Sequence, residues 1–150
     1  MSPVVDERTL ISTFFDRRRT AGRPARADVI LGIGDDAAVL RLDPGFDLVV
    51  ATDSIAEGTH FPAGTPAASV GHRCLAVNLS DIAAMGGIPL YVTTSIALPS
   101  KRVPGFVSRF YRGLTAIARK HSVTLIGGDT CRSLKGVFLD VTIIGEVEPE

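Results

Sequence analysis

The sequence predicts an α+β fold, a mixed or antiparallel four-stranded sheet with helices packed on one of its faces. Three observations lead there. The segments "DLVVATDSI" (47–55), "PLYVTTSIAL" (89–98) and "GVFLDVTIIGEV" (136–147) have the β-branched composition of strands. Residues 66–85 and 104–121 have helical spacing, each with a proline suited to the first turn. The resulting order, helix then β-β-α-β-α-β-β, departs from the steady alternation of a parallel α/β sheet.

Taken in order, 6–18 ("DERTLISTFFDRR") place Leu10, Ile11, Phe14 and Phe15 on one helical face. The next segment is basic, with Arg17, Arg18, Arg19, Arg23 and Arg26, and reads as a solvated helix end and loop. A phosphate-facing role for one of these arginines is the alternative. Residues 1–26 are thus expected to be an N-terminal helix and basic loop, and 27–150 the domain proper. A strand at 37–42 ("AAVLRL") joins the next at 47–55 through a turn at "DPGF". The helix at 66–85 starts at Pro66 and is closed by Gly86 and Gly87. The second helix, 104–121, shows Phe106, Phe110, Leu114 and Ile117 on one face. "VTLIGGDT" (123–130) reads as a strand running into a glycine turn, and 136–147 is the last strand. The ending "EVEPE" has no closing element, so a further C-terminal part is expected.

Composition narrows the function classes. Basic and acidic side chains balance at 16 each, which gives no global attraction to nucleic acid or a membrane surface. No apolar run approaches the roughly 18 residues of a membrane span, and the N-terminus lacks a signal-peptide layout. The two cysteines, Cys74 and Cys131, form no C-x-x-C pair. A disulfide or zinc framework is therefore not expected, and a reducing cytoplasm is.

The chemistry concentrates in acids. "GIGDDA" (32–37) fits the dinucleotide fingerprint G-x-G-x-x-A, but the residues after it have strand rather than helix character. Asp35 and Asp36 would also repel the phosphates such a loop cradles. No P-loop motif is present. A divalent cation removes the repulsion, and magnesium is commonly held by one or two carboxylates plus substrate phosphates. Asp53 ends an apolar stretch in "LVVATDS", Asp81 lies in the apolar helix "LAVNLSDIAAMG", and Asp129 comes after two glycines in "TLIGGDT". Singly, Asp53 and Asp129 also read as caps and Asp35 or Asp36 as turn residues. Asp81 is expected to face the core beside Leu75, Leu79, Ile82 and Met85, with Asn78 one turn away, and a buried acid there needs a positive partner. His60, in "EGTHF", is either a phosphate contact or an ordinary loop residue. Tyr111 is either core or a surface for a nucleotide base.

"GIGDDAAVL", "ATDSIAEGTHF", "AVNLSDIAAMGG" and "LIGGDT", in this order and spacing, closely resemble the thiamine-monophosphate kinases. The wider superfamily is that of aminoimidazole ribonucleotide synthetase, whose members bind ATP without a P-loop. The resemblance implies transfer of the ATP γ-phosphoryl group onto thiamine monophosphate, with several magnesium ions between the two anions. It implies Asp36, Thr52, Asp53, Asp81 and Asp129 as metal ligands, His60 as the thiamine-phosphate contact, and Gly128 with Asp129 as the nucleotide-phosphate turn. Tyr111 matches an adenosine contact, and Asp35 would orient its turn. It also implies a homodimer formed by sheet pairing. Ala51 stands where relatives often carry serine, and the family's second domain has no counterpart here. The expectation is an N-terminal half that binds magnesium and ATP and dimerises, inactive alone. A dimerisation module without activity, or a sister enzyme with another substrate, is the alternative.

Overall fold

The computed structural model describes residues 26–149, which divide after Leu42 into two compact units. The helix expected at 6–18 lies outside the described residues. In the first unit, β1 (Val29–Leu31) pairs antiparallel with β2 (Val39–Leu40), Val29 standing opposite Leu40. The strand expected at 37–42 is thus only two residues long. Its partner, a three-residue "VIL", is too short to reveal an alternation in the sequence.

The second unit holds β3 (Asp47–Ala56), α1 (Ala67–Ala84), β4 (Ile88–Leu98), a 3-10 turn (Ser100–Arg102), α2 (Val103–Lys120), β5 (Thr124–Arg132) and β6 (Phe138–Val147). The four strands form one sheet in the order β3-β6-β4-β5. β6 runs antiparallel to both neighbours, and β4 and β5 are parallel, joined through α2. The sheet is therefore mixed, with four strands as expected. Gly127, Gly128 and Asp129 are not a turn, because they continue β5 opposite Thr93, Thr94 and Ser95.

Strand alternation sorts the side chains between the two faces. On β6, Leu139, Val141 and Ile143 are buried, and their partners on β4 include Ile96 and Val92. This face carries the helices: Leu75, Leu79 and Ile82 of α1 and Val107, Phe110 and Leu114 of α2 complete the core. The helices approach closely because two glycines face the opposing backbone. A Cβ on Gly113 would lie 1.8 Å from the Ala68 carbonyl oxygen, and one on Gly71 would lie 2.1 Å from that of Phe110. Beyond the end of α1, Gly86 N–H reaches Ala83 O at 3.0 Å, and the Gly86 φ of 69° then turns the chain so that Gly87 N–H reaches Ile82 O at 2.9 Å. Among the described residues, no helix is long and apolar enough to cross a membrane.

Candidate functional site

The acids of the second unit are divided by the sheet. Asp53 pairs with Val141, so its half-buried side chain points to the helix-bearing face of edge strand β3. Thr52, one residue earlier, points to the opposite face, where its Oγ1 hydrogen-bonds Thr142 Oγ1 at 2.7 Å. Neighbouring strand residues direct their side chains to opposite faces, so the side chains of Thr52 and Asp53 are not available to the same ion. Only Asp53 offers its side chain on the helix side.

Asp129 is exposed on the other edge strand, level with Ser95 of β4. Ser95 is level with Asp140 of β6, and Asp140 with Ser54 of β3. One polar row, Ser54–Asp140–Ser95–Asp129, therefore crosses all four strands, and the Ser54 hydroxyl donates to the Asp140 carboxylate. Three strand spacings, about 14 Å, separate the edge strands. Asp53 and Asp129 are thus apart in width as well as in face. Asp140 is a residue that sequence reasoning misses. The signal is available, since a lone acid in "FLDVTII" shares its period-two face with Thr142 and Ile144.

Asp81 is exposed, contrary to the expectation that it faces the core. It continues the α1 stripe of Val70 and Cys74, which is buried in the half of the helix that crosses α2 and open three turns later. Asn78 takes the inward place instead. It is fully buried, its Nδ2 donates to Cys74 O at 2.9 Å, and its Oδ1 has no hydrogen-bond partner. Tyr111 is also corrected: only 8 % exposed, it packs edge-on to Phe110 and its hydroxyl bonds Thr94 Oγ1 at 2.9 Å. Burial pushes its hydroxyl up to about 12. A core ring leaves no face for a nucleobase. Gly128 has a packing reason of its own, since a Cβ there would lie 2.2 Å from Thr94 O.

His60 stands on a tightly tied loop. After β3, Thr59 and His60 donate their N–H groups to Ala56 O, at 3.2 and 2.9 Å, and Gly58 N–H reaches Phe61 O at 2.8 Å. The Ala56 N–H in turn donates to His60 Nδ1 at 3.0 Å. A nitrogen that accepts carries no proton, so the neutral ring bears its hydrogen on Nε2. The exposed imidazole is thereby set as a donor. Beside it, Glu57 receives Arg102 Nη1 at 2.6 Å and the Val137 N–H at 3.1 Å. In the sequence Glu57 is visible only as part of a motif, because its partners lie 45 and 80 residues away.

In the first unit, Asp35 Oδ1 accepts the Asp36 N–H at 3.0 Å, and both acids are exposed. The donors expected to hold metal are thus accessible carboxylates, hard oxygen ligands of the kind magnesium takes. Among the described residues, no three His, Cys, Asp or Glu side chains gather as a metal cage.

The family described as AIR synthase related protein, N-terminal domain, matches residues 34–147. The thiamine-monophosphate kinase of Bacillus subtilis (strain 168) is 40 % identical over 123 residues, covering 81 % of this chain and 38 % of that protein. The crystal structure of thiamine-monophosphate kinase from Stenotrophomonas maltophilia K279a superposes with a TM-score of 0.76 at 42 % identity. It covers 93 % of this chain and 42 % of its own. A structure described as AaThiL complexed with AMPPCP and TMP matches with a TM-score of 0.67 at 28 % identity, over 96 % of this chain and 43 % of that one. The chain therefore spans well under half the length of these relatives.

Proposed function

This chain belongs to the AIR synthase related proteins, matching their N-terminal domain, and from that premise we propose that it is the magnesium- and ATP-binding half of a thiamine-monophosphate kinase. The carrying observation is that Asp53 and Asp81 both lie on the helix side of the sheet, and, within its own unit, Asp36 is exposed beside its Asp35-bonded turn. In the proposed reaction, the γ-phosphoryl of ATP passes to the phosphate of thiamine monophosphate. An ionised phosphate acceptor needs no strong base, so the protein's work is alignment and charge neutralisation.

Magnesium, when bound, supplies that neutralisation between the two anions. Several ions would be held, by Asp53 and Asp81 on the helix side, by Asp129 on the opposite face and by Asp36, with Thr52 contributing through its backbone. Asp129 and Gly128 would serve the nucleotide phosphates from the open face, and His60 would donate from Nε2 to the thiamine phosphate. The chain would act as a homodimer, and without the rest of its relatives' length it would turn over little or no substrate. Two free thiols, Cys74 and Cys131, support a reducing cytoplasmic setting.

Calorimetry with ATP, with and without magnesium, is the test. Binding should require magnesium, and Asp53→Asn or Asp81→Asn should weaken it tenfold or more, on the order of 1–3 kcal/mol. Unchanged affinity in both variants would sink the metal assignment. Thiamine diphosphate produced at native-like rates would refute the half-enzyme reading.

A further inference from the structure

We propose that Glu57 is a positioning residue that holds His60 as an Nε2–H donor for a phosphate monoester, by clamping the loop between them to two distant segments. The proposal rests on the reading of His60 as the phosphate contact.

The loop has two anchors and an exposed tip. At one end Phe61 is buried, and at the other the Glu57 side chain is only 8 % exposed. Each carboxylate oxygen of Glu57 has its own donor: Arg102 Nη1 at 2.6 Å on Oε1 and the Val137 N–H at 3.1 Å on Oε2. Glu57 N–H also donates to Val137 O at 2.9 Å, so main chain and side chain grip the same residue. Gly136, with φ of 66°, packs against this carboxylate, where a Cβ would meet Oε2 at 3.5 Å. The β5–β6 connection, the 3-10 turn before α2 and the end of β3 are thus tied at one side chain. Gly58, Thr59 and His60 are the exposed residues between the anchors.

Burial of an acid beside a half-exposed arginine is a poor way to gain stability alone. Its consequence here is geometric. Ala56, the residue before Glu57, makes both bonds that fix His60, accepting its N–H and donating to Nδ1. If the Glu57 carboxylate lets go, Ala56 keeps its place in the β3–β6 ladder, but the loop that leaves it loses its brace to Arg102 and to the Val137 N–H, and the imidazole is free to carry its proton on either nitrogen. A donor that must first be oriented binds an anion more weakly than one already set.

Imidazole nitrogen NMR on the 150-residue chain reads the tautomer directly, with His72 and His121 as internal references. The wild type should show His60 as a single Nε2–H tautomer. Glu57→Ala should give a mixed tautomer at His60 with the other two histidines unchanged, Glu57→Gln an intermediate state, and Arg102→Met a partial one. Arg102 is half-exposed, so that variant keeps the fold testable if Glu57→Ala does not fold. Thiamine monophosphate should perturb His60 in the wild type, with affinity falling about tenfold in Glu57→Ala. A single Nε2–H tautomer retained in folded Glu57→Ala, or in Arg102→Met where the former does not fold, overturns the proposal. A wild-type His60 that is a single tautomer yet indifferent to thiamine monophosphate overturns the phosphate reading instead, and the two failures are separately visible.

Discussion

Tyr111 and Cys74 are ionisable groups that the fold holds away from water. Burial pushes Tyr111 from 10.0 to about 12, with the Asp129 charge adding to it and the Thr94 bond opposing. Burial likewise pushes the Cys74 thiol from 9.0 to about 12. In the unfolded chain each group loses its proton earlier than in the native one. Stability is therefore intact below about pH 9 and falls as pH rises toward 12, with a slope of up to about 1.4 kcal/mol per pH unit for each group. Urea midpoints measured from pH 8 to 11 should decline above pH 9, and in Cys74→Ala the decline should begin nearer pH 10. Tyr111→Phe should flatten the upper part of the curve, and an unaltered profile in both variants would contradict the burial argument. The same residues mark what a sequence can disclose at this scale. Helical spacing puts Tyr111 beside Phe110 and Leu114, but only tertiary packing turns its hydroxyl onto Thr94. Asp81 misleads because the buried arc of α1 rotates along its length, following α2 at one end and the sheet at the other.

At the scale of elements, the two helices depend on glycine at their crossing. Gly71 and Gly113 sit where an added methyl would enter the opposing backbone, which cannot yield as a side chain can. Gly113→Ala should cost about 3 kcal/mol and Gly71→Ala somewhat less, by overpacking. Gly105→Ala, whose Cβ would meet only the flexible end of Arg109, should be within about 0.5 kcal/mol of wild type or better, since alanine favours the helix. Urea denaturation of the three variants separates the cases, and equal costs would dismiss the crossing as the cause. Most of these elements can be read beforehand, because their signals are local. Pro66 and Gly86 bracket α1, and β-branched runs mark β3, β4 and β6. The misses are elements whose state a partner decides. Gly127 and Gly128 look like a turn until β4 pairs with them, and β1 has no pattern of its own until β2 lies beside it. The grouping of the acids is the least legible. Sequence order shows which acids recur but not which face of a sheet each strand presents.

For the whole molecule, the face of the sheet away from the helices is the one left open to a partner. Leu48 and Val50 on β3 are 50 % and 58 % exposed, and Phe138 on β6 is 51 % exposed. All three share one face by strand alternation, with Ile144 level with Val50. Apolar side chains gathered on an open sheet face, at an edge strand and its neighbour, are a liability unless something covers them. A second copy of the chain, its open face turned to the first, would cover them and is the dimer that family membership leads us to propose. Burying the face would take the order of 1,000 Å² or more in total, the lower bound of a stable interface. The polar row of Ser54, Asp140, Ser95 and Asp129 would be enclosed with it, which makes dimerisation and the setting of Asp129 one question. Val50→Lys tests the pair without threatening the core, because Val50 contributes little to it. The wild-type chain should sediment as a dimer at micromolar concentration. Val50→Lys should sediment as a folded monomer with an unchanged circular dichroism spectrum. If Asp129 serves nucleotide only within the dimer, that monomer should also lose magnesium-dependent ATP binding although every carboxylate is still in place. A monomeric wild type that binds nucleotide fully would instead assign the site to a single chain.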